Sequence, residues 1–272
     1  DHGKSHTDFY RMALRKRIAL NTERSLIGTI LPRLVPHLST VVSTAFANDE
    51  ALLRAHANWM SIVLDFRTKA AGRGDVQLPD IKAFPDIDPG KTAKHRGLRL
   101  ACLTVAYKDL WNKHSHVLNP LPWHSSDPRL TLEGAVEGPA IWNQSAAFRT
   151  DFARRMALVE IDVLVSQTLG LTLEQLIDIY RIYFPVLQQN EAATWYDRNG
   201  QIAWPCSKGL PGVGYLENGK SPSRKSWEKF LETDQIHLEC DAVIDFLPGG
   251  PQTVTRIFEG PFDTCDRVED YK

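Results

Sequence analysis

Sixteen prolines set the tightest limit on what this chain can fold into. Each one fixes φ and removes a backbone donor, so none is welcome inside a helix or a central strand. Pro79, Pro85 and Pro89 crowd one short stretch, and residues 79 to 90 are therefore predicted to be an extended connection. Pro120, Pro122, Pro128 and Pro139 do the same to residues 115 to 145, read as a long ordered loop or a set of short strands. Regular structure must lie between these stretches. A boundary near 79 to 92 divides residues 1–91 from residues 92–272. With 272 residues, 43% of them hydrophobic and 24% charged, the chain can bury a sizeable core as one large domain or two smaller ones.

Periodicity and capping signals fill in the elements. Residues 8 to 19 read as a basic amphipathic helix, with Phe9, Leu14 and Ile18 inward and Arg11, Arg15, Lys16 and Arg17 in water. Ser25 to Leu31 and Thr40 to Phe46 are β-branched or apolar runs separated by Pro32 and Pro36, and are predicted strands. Asn48 caps a helix over about 49 to 67, ended by Gly72 and Gly74. Lys94 to His114 has helical spacing in Leu103, Tyr107, Leu110 and Trp111. Thr150 to Leu169 is a helix closed by Gly170, and Thr172-Leu173-Glu174-Gln175 is a capping box that starts another before Pro185. Asn199-Gly200 between aromatic and apolar runs is the strongest hairpin signal. Ser223 to Leu231 reads as a short helix, and Ala242 to Phe246 and Thr253 to Phe258 as strands. The expected class is mixed α and β (α+β): a subdomain of short strands and helices, followed by a more helical one.

No run approaches the roughly 18 apolar residues of a membrane span, and the N-terminal residues show no charged-then-apolar signal pattern, so a cytoplasmic protein with no membrane partner is expected. Cys102, Cys206, Cys240 and Cys265 form no close pair of the kind zinc sites use, and free, buried thiols are expected. Asp1 at the start and Val268 to Lys272 at the end read as the limits of a piece of a longer polypeptide.

The net charge of −1 hides an asymmetry. Residues 1 to 100 hold 16 Lys and Arg against 10 Asp and Glu, and the remainder hold 16 against 23. Charge alone leaves a nucleic-acid face and an unevenly charged solvated surface equally open.

Catalytic signatures are weak. Asn119-Pro120-Leu121-Pro122-Trp123 resembles the Asn-Pro-Pro-aromatic motif of amino-methyltransferases, but Leu121 is inserted and would displace the stacking ring. The loop Gly209 to Gly214 has no Lys-Ser/Thr ending and opens no helix, so it is not a phosphate cradle. Pro79-Asp80, Pro85-Asp86 and the Glu239 to Asp245 stretch lack the Glu-x-Lys of a metal nuclease. His114, His116 and His124 read as a polar loop. No catalytic residue and no metal ligand is assigned. What remains is a basic series, Arg11, Arg15, Lys16, Arg17, Arg24, Arg67, Lys69 and Arg73, able to neutralise phosphates. Lys69 and Arg73 flank an Ala-Ala-Gly-Arg-Gly turn where the glycines would let backbone approach a duplex. The competing reading is a helix end whose cations complement its dipole.

The order of Arg11 to Arg17, Asn21 to Ile27, Val41 to Phe46, Ser61 to Phe66, Lys69 to Asp75 and Phe84-Pro85 resembles the target-recognition region of Eco57I-like adenine-specific DNA methyltransferases, including type IIG enzymes and those of the BREX and DISARM phage-defence systems. Leu98 to Trp111, Ala157 to Tyr180 and Thr194 to Gly214 resemble the C-terminal part of actinobacterial members. The resemblance implies a non-catalytic DNA-recognition module over 1–91 and a C-terminal subdomain over 92–272. It implies double-stranded DNA as partner, with Arg15, Arg17, Arg24, Lys69, Arg73 and Lys208 as contacts. The catalytic methyltransferase core would lie upstream or act as a partner, and S-adenosylmethionine would belong to it, because the cofactor motif is missing from this chain. The alternative is a protein-interaction subunit of a defence complex, docked through its acidic half.

Overall fold

Four consecutive residues near the N-terminus, Arg11 to Leu14, are buried, and no surface helix can bury four in a row. In the computed structural model, which describes residues 3–19, 21–205, 213–233, 235–245 and 249–272, they form strand β1 (Arg11–Arg15) rather than the expected amphipathic helix. β1 is central in a sheet of order β2-β1-β3, antiparallel to both β2 (Gly28–Leu31) and β3 (Val41–Ala45). Met12 and Leu14 join the core with Ile30. Arg11 and Ala13 point the other way, beneath residues 32–40, which cross over β1 to link its two neighbours. Burial on both faces removes the alternation by which a strand is read from sequence. β2 meets β1 closely at Gly28, where a Cβ would lie 2.5 Å from Met12 Cε and 2.7 Å from Leu14 Cδ2, so those two side chains would have to shift.

The helix predicted over 49 to 67 is two helices, α1 (Asp49–Met60) and α2 (Ile62–Ala70). Asn48 caps α1 through the Ala51 amide. The break is at Ser61, whose hydroxyl accepts from Leu64 N, while Ile62 N donates to the distant Asp162 carboxylate at 2.8 Å. The proline-rich connection contains one short helix, α3 (Leu78–Lys82). The next predicted helix is likewise divided into α4 (Gly90–Ala101) and α5 (Lys108–Leu118), and Leu103, expected on its apolar side, is exposed.

Residues 119 to 150 are mostly irregular, with α6 (Pro128–Thr131) the one α-helix among them. Arg99 holds this stretch from inside. Fully buried, its guanidinium donates to the carbonyls of Ala135, Val136 and Ser145 at 3.1 Å each, satisfying backbone that has no ladder of its own. Then come α7 (Asp151–Thr168), α8 (Leu173–Tyr183) with its Thr172–Gln175 capping box, and α9 (Pro185–Ala192). α4 packs between α1 and α7, which also meet each other. The α1–α4 contact is close enough that a Cβ on Gly97 would stand 2.9 Å from His56 Nδ1. One buried cluster takes in residues from Tyr10 to Tyr271 and so from both sides of position 91.

The predicted hairpin forms as β4 (Trp195–Tyr196) and β5 (Ile202–Trp204), with Gly200 at φ +77°. With α10 (Arg224–Leu231) and the hairpin β6 (His237–Ile244) and β7 (Gln252–Glu259), it encloses a second, smaller cluster of Trp204, Trp227, Leu238 and Phe258. Helix α11 (Arg267–Asp270) returns to α7. Cys102 is buried, Cys240 and Cys265 are half-buried, and all three are free thiols. The fold is mixed α and β. Among the described residues no helix is long and apolar enough to cross a membrane.

Candidate nucleic-acid interface

Beyond β1 the chain stays extended and acquires a new partner. Ile18 N donates to Gly74 O at 2.8 Å, Val76 N donates to Lys16 O at 2.7 Å, and Arg17 faces Asp75 in an antiparallel bridge. This short ladder brings the turn after α2 against the end of β1. Arg17 and Arg73, far apart in sequence, therefore share one rim of the molecule.

The ladder leaves their side chains in solvent. Arg17 is 86% exposed and stands 3.8 Å from Asp75, and Arg73 is 52% exposed and 3.0 Å from Asp80. Ion pairs this open are weak and exchange readily for another anion. Arg15 is half-buried at the base of the rim, with one guanidinium nitrogen donating to Arg24 O at 3.3 Å. Beside Arg73 a recess of about 200 Å³ is lined by Ile18, Arg67, Asp80 and Phe84.

Two other cations of the predicted series are turned inward. Arg24 donates through Nε to Asp65 at 2.7 Å and through Nη2 to Met60 O at 2.7 Å. Asp65, fully buried, also accepts the amides of Ser25 and Leu26, so one carboxylate gathers the whole loop before β2. Lys69 donates to Thr22 O at 3.2 Å and lies 4.8 Å above the Phe184 ring, and burial lowers its pKa. Both tie the loop after β1 to α2. Lys208 and most of the glycine loop lie outside the described residues.

Residue type singles out Arg17 and Arg73 but not the neighbour that the fold gives them. Lys16 N donates to Thr40 O at 2.9 Å, which sets the 32–40 crossover beside the rim. That segment carries Arg33 and His37, and no carboxylate occurs anywhere between Glu23 and Asp49. The missing acids were the available signal.

The weaker motifs have structural partners. Trp123 packs 5.1 Å from the Phe148 ring with the Arg96 guanidinium 4.1 Å from its own, which fixes the proline-rich loop to α4. His114 contacts Asp49 at 3.1 Å, while His116 and His124 are exposed. Among the described residues no group of three or more His, Cys, Asp or Glu is placed to hold a metal ion. No protein-family model matches the chain, no curated protein matches it significantly, and no solved structure does.

Proposed function

We propose that this chain is a DNA-gripping module, the target-recognition part of an N6-adenine DNA methyltransferase of a restriction or phage-defence system. The methyl-transferring core and its S-adenosylmethionine would be supplied by another segment or polypeptide. The observation that carries the reading is the backbone ladder between residues 16–18 and 74–76, which gathers Arg17 and Arg73 on one exposed rim. Arg15 at its base and the carboxylate-free crossover beside it extend a surface suited to phosphates. Arg24 and Lys69 contribute indirectly, by holding the loop behind the rim.

Three rim cations on phosphates give a slope of log K against log salt of about −3, at roughly −0.9 per neutralised phosphate. Fluorescence anisotropy with a labelled duplex from low to moderate salt measures it. The double variant Arg17→Ala, Arg73→Ala is expected to flatten the slope by about 2 and to weaken all sequences alike. Equal slopes for wild type and variant would overturn the reading. The protein-docking alternative would then lead, because the β6–β7 hairpin exposes Ile236, Val243 and Ile257 beside Glu239 and Asp241.

A further inference from the structure

The crossover over β1 shows two large apolar side chains to water, Leu34 at 77% and Leu38 at 79% exposure. They are not the tips of a slack loop. Leu34 N donates to Thr7 O at 2.7 Å, buried Arg11 donates to Val35 O and to Ser43 Oγ, and His37 bonds Leu38 O at 3.0 Å and meets Ser43 Oγ at 2.8 Å. Leu34 is also held at φ +64°, a left-handed conformation that any Cβ makes costly and that glycine would adopt freely. Beneath the crossover the space is taken by Arg11, so the leucines have no inward place. The segment is built to keep them out.

Its chemistry selects an anionic partner. Arg33, exposed with its guanidinium 4.8 Å from the Tyr10 ring, precedes Leu34, no carboxylate lies in the sequence between Glu23 and Asp49, and Thr40 joins the segment to the rim that bears Arg17. We propose that this crossover is a wedge: Leu34 and Leu38 enter between stacked base pairs of the duplex held by the adjoining rim and kink it. Proteins that bend DNA insert apolar side chains in this way, kinking the duplex by about 20–90°. Steps that unstack easily, such as TA, would accept the wedge most readily. This rests on the DNA-gripping reading, and the experiment separates the two.

Two 30-base-pair duplexes labelled at both ends, one with central TA steps and one with a central A-tract, would be titrated with the full chain while energy transfer and anisotropy are recorded. Wild type should raise energy transfer on the TA duplex and bind it about tenfold tighter than the A-tract. Leu34→Ser with Leu38→Ser should abolish both differences and leave the salt slope unchanged. Leu34→Gly is a second variant that removes one wedge while relieving the backbone, and it should lower the energy transfer although the protein unfolds at a higher temperature. Salt-dependent binding without any change in energy transfer would overturn the wedge and leave the grip standing. Absence of binding to either duplex would overturn both. Binding to vesicles containing phosphatidylserine that the leucine variants lose, with no duplex bending, would overturn the wedge in favour of a membrane contact.

Discussion

At the rim, Arg17 stands in water beside a single carboxylate 3.8 Å away, whereas Arg267, at the far end of the chain, is sealed among carboxylates and hydroxyls. Arg267 donates to Asp162 at 2.7 Å and to Glu191 at 3.0 Å, Arg155 joins Glu191 at 2.8 Å, and Tyr180 and Tyr271 donate to the same two acids. That cluster ties α11 and α9 to α7. The same side chain is a fixed strut in one place and an available ligand in the other, and what decides between them is the number of partners the fold supplies. Counting basic residues along a sequence therefore overstates a binding face.

The largest effect should come from breaking the strut. Arg267→Met leaves Glu191 and Asp162 buried with less compensation, and loss of one partner from a buried ionic cluster costs about 3–5 kcal/mol. Chemical denaturation is expected to show that loss with no change in the salt slope for duplex DNA. A midpoint near wild type would mean that the cluster is wetter than its geometry indicates.

Acid should separate the two regions next. Burial pushes the imidazoles of His56 and His95 down to about 4 and about 3, in the second case with the Arg99 and Arg96 charges adding to the effect. Each is neutral in the folded chain and takes a proton in the unfolded one below about 6.5. Their contribution is thus intact above that pH and is lost as pH falls toward 4 and 3, about 2 kcal/mol for each between pH 7 and 5. Glu191 behaves later. Although burial raises its pKa, Arg267 and Arg155 outweigh this and hold it at about 2, so its contribution is complete above about 4.5 and disappears only as pH approaches 2. Stability should begin to fall near pH 6.5, well above the range in which Glu191 takes a proton. A flat profile from pH 7 to 5 would show that protons reach the two histidines in the folded protein.

Much of this architecture was legible locally. Asn48, the Thr172 capping box and Asn199-Gly200 each specify their own neighbourhood, and the elements start where those residues stand. Two of the departures are non-local. β1 hides because Arg11 is buried by a crossover reaching it from residues 32–40, and α1 ends at Ser61 because a carboxylate a hundred residues later accepts Ile62 N. The candidate site follows the same rule. Residue type alone nominates Arg15, Arg17 and Arg73, but the ladder that joins Arg17 to Arg73, and the Asp65 that draws Arg24 inward, depend on tertiary pairing that no spacing announces.

The smallest effect is the sharpest test of the difference between strut and ligand, because it compares two arginines within one short stretch. Arg24→Ala removes the cation from buried Asp65 and the donor to Met60 O, and should destabilise the chain by about 1–3 kcal/mol. Its salt slope should remain that of wild type once binding is measured below the unfolding transition. Arg17→Ala should do the reverse. An exposed side chain with one long ion pair contributes within about 0.5 kcal/mol of nothing to stability. Its removal should flatten the slope by about 1, the share of a single phosphate. Thermal melts and anisotropy on the same two variants measure both quantities. If Arg24→Ala flattened the slope and Arg17→Ala did not, Arg24 would have to leave Asp65 when DNA binds, and the loop before β2 would open in the complex.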